Sequence, residues 1–269
     1  MIPRTTMEIA GQKIFVVLHP FACGAGIISW EKIKAFVPLQ DYCKNMDPRF
    51  TVRGIVIQSI DLFSNRIGFM KIKADILGPD GRRVPGIAFL RGGSVIILVV
   101  LTIEDSPEEK YVVLIKQPRS PSGTLEQIEL AAGMLDGSDN IAGKAIQEMG
   151  EELDIWPKQK ELIDLTEIAY GQGGSKKVLG YNGGITPLLK SRGVFASPGG
   201  SDEFYRIMLY QKIITRDKLA SYSDHKTGAA EENESITTMV VPLDMVWKWS
   251  PIAGTLSALY LYDKIILRK

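Results

Sequence analysis

Histidine and cysteine are scarce in this chain of 269 residues, with two of each. Cys23 and Cys43 are too few for a disulfide framework and lack the spacing of a zinc site, so a reducing compartment is the default reading. His19 and His225 exclude a histidine-rich metal site, and no Ser-His-Asp arrangement can be argued from two histidines. An excess of one charge is also missing. The formal net charge is +1, so neither nucleic acid nor an anionic membrane is an expected partner. Long apolar runs are absent too: "VIILVVLTI", Val95 to Ile103, falls far short of the ~20 residues that span a bilayer. "KIFVVLHPFACGAGIISW" makes a poor signal peptide, because Lys13, His19 and its prolines and glycines interrupt it. No Arg-rich, acid-poor presequence is visible. An intracellular location is expected, either the cytoplasm or an organelle such as a plastid or mitochondrion.

What remains is the composition of a folded protein, 45% hydrophobic and 23% charged, long enough for one large domain or a domain with an added lobe. "SWEKIKAFVPLQDYCK" predicts a short helix capped by Ser29, with Ile33, Phe36 and Val37 at helical spacing. "TVRGIVIQSIDLF" and "IGFMKIKADIL" alternate like strands, before the turn "GPDGR". "SVIILVVLTI" and "KYVVLIKQ", separated by "EDSPEE", predict a hairpin whose strands are buried on both faces. "LIDLTEIAY", "EFYRIMLYQKII" and "SITTMVVPL" are three further strand candidates. "GTLSALYLYDKIILRK" predicts a terminal helix packed through Leu256, Leu259, Tyr260, Ile265 and Ile266. Trp247 and Trp249 are expected to pack against that helix. Strands, a central helix and strands again indicate a mixed sheet with helices against it. The glycine-rich "YGQGGSKKVLGYNGG" fails as a phosphate loop: Lys176 takes the third glycine position of the dinucleotide fingerprint, and no Gly-Lys-Ser/Thr follows.

One stretch is unusual. "GMLDGSDNIAGKAIQEMGEELDI" gathers Glu148, Glu151 and Glu152 within five residues. Residues three and four apart share a helix face, and like charges there cost about 0.2–0.5 kcal/mol per pair in an isolated helix. Ala145, Ile146, Met149 and Leu153 supply an apolar stripe beside them. Two readings stay open on physics alone. The face is either a solvated acidic surface or a seat for a hard divalent cation, which takes carboxylate oxygen. Gly143 and Gly150 cost the helix about 1 kcal/mol each relative to Ala, a cost more often tolerated where a site needs room.

The same stretch resembles the Nudix box, a 23-residue pattern of Gly, five residues, Glu, seven residues, Arg-Glu-apolar, one residue, Glu-Glu, one residue and Gly-apolar. Gly133, Glu148, Met149, Glu151, Glu152 and Ile155 fall in register. Asp139 stands for the early Glu, Gln147 for the Arg and Asp154 for the closing Gly. Ala131 takes the usual proline position of the "LAAG" that leads into the box. In order, "RIGFMKIKADI", "VPGIAFLRGGSV", "IKQPRSPSG", "IELAAGMLD", "FASPGGSDE" and "KTGAAEENESI" are similar to the ADP-sugar/UDP-sugar diphosphatase branch, which is ADP-ribose pyrophosphatase-like. The first ~50 residues match least.

That resemblance implies an α/β fold, a Nudix-type α/β/α sandwich with a mixed β-sheet and an N-terminal β-rich extension. Residues 1–90 would form an extension or dimerisation lobe and 91–269 the hydrolase domain. It implies Mg²⁺-dependent (or Mn²⁺-dependent) hydrolysis of the diphosphate of ADP-glucose, ADP-ribose or a UDP-sugar, giving a nucleoside monophosphate and a sugar phosphate. Glu148, Glu151 and Glu152 would bind the metal, with the backbone carbonyl of Ala132. Glu152, Glu148 or the loop residue Glu203 would act as base, with Glu234 another candidate. Gly199 and Gly200 would let the Glu203 loop move. Arg91 and Arg119 would hold phosphate or sugar groups, and Glu129 a ribose hydroxyl or the metal site. The branch further implies a homodimer. The alternative is a catalytically impaired Nudix-fold subunit with a structural or binding role in a larger assembly. Gln147, Asp154 and Asp139 favour that alternative, since a neutral Gln lacks the charge-assisted contact an Arg makes. The retained glutamates favour the enzyme.

Overall fold

The computed structural model describes residues 4–9, 11–23, 28–171, 193–228 and 235–268, which form two compact units. The first comprises Met1–Gly93 and Phe195–Glu203. It contains β1 (Arg4–Ile9), β2 (Gln12–Cys23), β3 (Thr51–Phe63), β4 (Arg66–Leu77), β5 (Arg83–Val84) and β6 (Ile87–Leu90). The sheet order is β1-β2-β3-β4-β5, with β6 also on β4. β2 and β3 run parallel, so the chain must cross over between them. It does so through α1 (Trp30–Ala35) and α2 (Val37–Lys44). Ser29 caps α1 as expected, its hydroxyl accepting the Lys32 N–H at 3.3 Å. The single predicted helix is nevertheless two: Phe36 is extended (ψ 109) and Pro38 opens α2. A proline lacks the helical N–H and clashes with the preceding turn, so the break follows from its position. Ile14, Val16, Ile55, Ile57, Ile72 and Ile76 alternate onto one sheet face and bury Ile33 of α1 and Leu39 of α2. Each such aliphatic side chain contributes about 1.5–3 kcal/mol by leaving water.

The second unit, Ser94–Val194 and Phe204–Lys269, carries β7 (Gly93–Ile103), β8 (Ser106–Arg119), β9 (Thr124–Glu129), β10 (Ala131–Met134), β11 (Leu162–Asp164), β12 (Val194–Phe195), β13 (Phe204–Ile214), β14 (Lys226–Thr227) and β15 (Ile236–Pro242). The main order is β11-β13-β7-β8-β15-β14, with β10 on β7 and β9 on β8. β7–β8, β8–β15 and β11–β13 are antiparallel. β7 and β13 end side by side, the Glu104 N–H donating to Ile214 C=O at 2.9 Å, which makes them parallel and the sheet mixed. Both faces are covered. Val95, Ile97 and Val99 pack with Ala145, Met149 and Leu153 of α3 (Ile141–Leu153). Ile96, Leu98 and Val100 pack with Ala258, Leu261 and Tyr262 of the C-terminal helix Ala253–Tyr262. The predicted burial of this hairpin on both faces and the α/β/α layering are present.

Three local expectations are corrected. "LIDLTEIAY" is a strand only to Asp164; its carboxylate then accepts the Glu167 N–H at 2.8 Å and starts a turn of helix. In the C-terminal helix Leu256 and Tyr260 are exposed, and the buried contacts fall to Ala258, Leu261 and Tyr262. Trp247 and Trp249 are about half exposed, not packed away. No helix among the described residues is long and apolar enough to cross a membrane.

Candidate functional site

The acidic stretch folds as α3, and its caps explain its limits. Asn140 Oδ1 accepts the Gly143 N–H at 3.0 Å at the start. Asp154 ends the helix in the left-handed region (φ 53) and donates its N–H to Gly150 C=O. This is the position where the resembled motif has glycine, the residue that adopts such a φ without steric cost. Asp tolerates it better than most residues. Asp154→Gly is therefore expected to stabilise the fold by about 1 kcal/mol, seen as a higher melting temperature; an unchanged or lower one would contradict the strain. The last-turn carbonyls are satisfied from another strand: Thr227 Oγ1 donates to Glu152 C=O at 2.6 Å, and the Gly228 N–H to Glu151 C=O at 3.0 Å.

Glu152 is 3% exposed, and its carboxylate accepts the Ala132 N–H of β10 at 2.9 Å. Glu148, one turn earlier, lies over the neighbouring residue of the same strand. A Cβ added at Gly133 would sit 1.9 Å from its carboxylate. Gly133 is thus glycine because Glu148 needs the space. Gly143 and Gly150 have other reasons: the Asn140 amide and the Trp156 ring fill the places their Cβ atoms would take. Glu151 points elsewhere, accepting from Gln147 Nε2 at 3.0 Å. Gln147 therefore keeps a contact to one box carboxylate, that of Glu151, without the charge an Arg would bring. Lys144 Nζ approaches Glu148 at 3.9 Å.

The donor chemistry fits a hard divalent cation: two carboxylates above successive residues of β10, a third on the same helix, and the Ala132 carbonyl beside them. Among the described residues no three acidic, His or Cys side chains stand close enough to form a ready-made metal cluster. The glutamates would have to draw together on a bound cation.

Arg119 and Glu129 meet. Arg119 Nε donates to Glu129 at 2.8 Å, and its terminal nitrogen lies 2.6 Å from the same oxygen. Gln117, 7% exposed, adds a bond to that oxygen at 2.7 Å. This third member was missed in the sequence, because β8 and β9 must pair before Gln117 and Glu129 adjoin. Arg206 and Asp164 were missed for the same reason. Their ion pair of 2.5 Å joins β13 to β11. Phe204 and Met208 flank Arg206 on its strand, and both pack into the α3-side cluster.

In the first unit Arg91 and Glu203 are brought together, at 3.0 Å. Asp202 accepts the backbone N–H groups of Arg91 and Gly92 at 2.8 and 3.1 Å. The loop that was expected to move is held at Phe89 as well, which accepts from Ser201 Oγ and donates its N–H to Gly200 C=O. Gly199 and Gly200 have open space around the Cβ position. Glu234 and residues 172–184 of the discounted glycine-rich stretch lie outside the described residues.

No protein-family model matches the chain. It is 33% identical over 219 residues, 81% of its length, to a protein described as Nudix hydrolase 14, chloroplastic, from Arabidopsis thaliana. The chain spans 64% of that protein's length. A solved structure described as an ADP compounds hydrolase is similar with a TM-score of 0.47 and 14% identity, covering 80% of this chain and 93% of that one. With the sequence relationship running along most of the chain, and α3 holding its glutamates over β10, the chain belongs to the Nudix hydrolase family.

Proposed function

We infer that the protein hydrolyses the diphosphate bond of a nucleotide sugar, ADP-glucose, ADP-ribose or a UDP-sugar, to a nucleoside monophosphate and a sugar phosphate. The observation that carries this reading is the pair Glu148 and Glu152 poised over Gly133 and Ala132. A buried carboxylate and a glycine vacated for its neighbour are costly unless both are used. Glu148, Glu151 and Glu152, with the Ala132 carbonyl, would hold Mg²⁺ or Mn²⁺. Such a cation, when bound, neutralises charge developing on the phosphate oxygens and acidifies a bound water.

The chain's own residues then divide the work. Glu152, fixed by the Ala132 N–H, holds its charge in one place. Glu148 reaches the same strand and is the nearer candidate to take a proton from the attacking water. Gln147 orients Glu151. Arg119, with its planar set of donors, suits a phosphate or sugar oxygen, and Glu129 and Gln117 hold it in one orientation. Glu203 is engaged by Arg91, which supports an anchoring part for it ahead of a part as base. The homodimer and an organellar location, the latter suggested by the relative's description, complete the reading.

The alternative, an impaired subunit of a larger assembly, is favoured by Gln147 and opposed by the contact that Gln147 still makes to Glu151. A panel of ADP- and UDP-sugars assayed with Mg²⁺ separates the two. Release of a nucleoside monophosphate by the wild type supports the hydrolase. Silence from the wild type with activity gained by Gln147→Arg moves the reading to the impaired subunit.

A further inference from the structure

In the second unit, the sheet face opposite α3 is covered by two helices whose outer sides are open. A one-turn helix, Val246–Trp249, packs there through Val246, and the C-terminal helix Ala253–Tyr262 through Ala258, Leu261 and Tyr262. Both meet the β7 side chains Ile96, Leu98 and Val100, so their outer sides look the same way. Val246 and Ser250, four residues apart, are buried. That leaves Trp247, Lys248 and Trp249 on the outer half of the turn. Leu256 and Tyr260, also four apart, share the outer side of the longer helix. Trp247, Trp249 and Tyr260 are 54%, 50% and 60% exposed. From Trp249 to Tyr262 the chain carries no charge, although charged residues make up 23% of the whole. A helix without charge on any side is normally covered all round. Here the sheet covers one side, and the exposed Leu256 and Tyr260 mark the other.

Lysines bound this neutral stretch, and each lies over an aromatic ring. Lys248 Nζ is 5.3 Å from the centre of the Trp247 ring, and Lys264 Nζ 5.3 Å from that of Tyr260. From Asp244 to Arg268 there are three cations, Lys248, Lys264 and Arg268, against two carboxylates, Asp244 and Asp263, a net charge of +1. Arg268 engages Asp263 at 2.9 Å. Trp and Tyr favour the headgroup level of a bilayer, which suits a ring that is apolar at one end and polar at the other. A lysine stem lies along apolar surface while its ammonium reaches outward. A second copy of the chain would set this face against itself, net positive charge against net positive charge; an anionic surface complements it. We propose that this face rests on the headgroup region of a bilayer containing anionic lipid. Trp247, Trp249, Leu256 and Tyr260 sit at the boundary with the acyl chains, and Lys248 and Lys264 meet lipid phosphates. The helices lie on the surface; neither is long and apolar enough to cross it. The whole chain's net charge of +1 gives no bulk attraction, so the binding is local to this face. It does not rest on the hydrolase reading.

The test is co-sedimentation of the full chain with vesicles of phosphatidylcholine alone and of phosphatidylcholine and phosphatidylglycerol in equal parts. Lys248→Gln/Lys264→Gln and Trp247→Ala/Trp249→Ala are the variants, with a thermal melt to check the fold. Trp156→Ala is the control, an exposed tryptophan that lies against Gly150 of α3 on the other side of the sheet. Binding to the mixed vesicles is expected, at least about tenfold tighter than to phosphatidylcholine alone and weakened by added salt. The lysine pair should cost at least about tenfold, since each lysine near an anionic surface contributes about fivefold. The tryptophan pair should also cost at least about tenfold, and Trp156→Ala nothing. A chain that sediments with neither vesicle overturns the proposal. So does binding that survives both double variants, which would place the contact elsewhere. Loss in the lysine pair with none in the tryptophan pair would leave a charge-only attraction, which overturns the aromatic seat. A chain that binds no vesicle but changes from dimer to monomer in the tryptophan pair would make the face a contact between copies, which overturns it too.

Discussion

Glu152→Gln is expected to lower kcat for nucleotide-sugar hydrolysis by about 10²–10³-fold, the equivalent of about 3–4 kcal/mol of transition-state stabilisation. The glutamine has the same size and can still accept the Ala132 N–H, which Glu152 now takes at 2.9 Å. The substitution therefore removes charge and little else. Melting temperature should stay within a few degrees, because the buried position remains filled and hydrogen-bonded. A Mn²⁺ titration should show weaker binding in the same variant. Glu152→Ala is the harsher control: it leaves the Ala132 N–H without its acceptor, which costs about 1–3 kcal/mol. Activity within threefold of wild type in Glu152→Gln would remove this side chain from the chemistry. It would also leave its 3% exposure with only a structural meaning.

Gly133→Ala is expected to be nearly as damaging to activity, through a residue with no functional group. The new methyl would come 1.9 Å from the Glu148 carboxylate, far inside any real contact, so that side chain must swing away from β10. The loss should be at least about tenfold in metal affinity and in kcat, one such step corresponding to about 1.4 kcal/mol. Stability should fall by about 1–3 kcal/mol, the usual cost of overpacking. Adding Glu148→Ala to Gly133→Ala separates the two effects: it should recover the stability by relieving the clash and recover none of the activity. Gly199→Ala, where the space is open, should change neither. If Gly133→Ala keeps full activity, Glu148 has no need of its place over the strand.

Much of the architecture was legible because it rests on periodicities a sequence displays directly. The run from Val95 to Ile103 is continuous and apolar, and β7 is accordingly buried along nearly its whole length. The 3.6-residue stripe of α3 appears as Ala145, Met149 and Leu153 in the core. Errors arose where a local interaction overrode the pattern. Pro38 divided one helix into two, and Asp164 turned a strand into a helical turn. Trp247, Trp249 and Tyr260 are apolar enough to suggest burial, but nothing in a side chain's identity says which elements will cover it.

For the candidate site, the sequence alone determined the inventory. Three glutamates at spacings of three and four residues must project from one side of a helix; that Gly133 makes room for one of them, Glu148, emerged only in the fold. Which carboxylate is buried was settled only by tertiary structure. Glu151 and Glu152 are about 100° apart around the helix axis; once the apolar stripe docks on the sheet, one faces β10 and the other faces Gln147. The union of Arg119, Gln117 and Glu129 likewise waits on β8 pairing with β9, and that of Arg91 and Glu203 on a loop more than a hundred residues away in the chain. Local spacing is written in covalent geometry. Contacts between distant segments exist only after the core has closed, because it is burial of the apolar faces that brings those segments together.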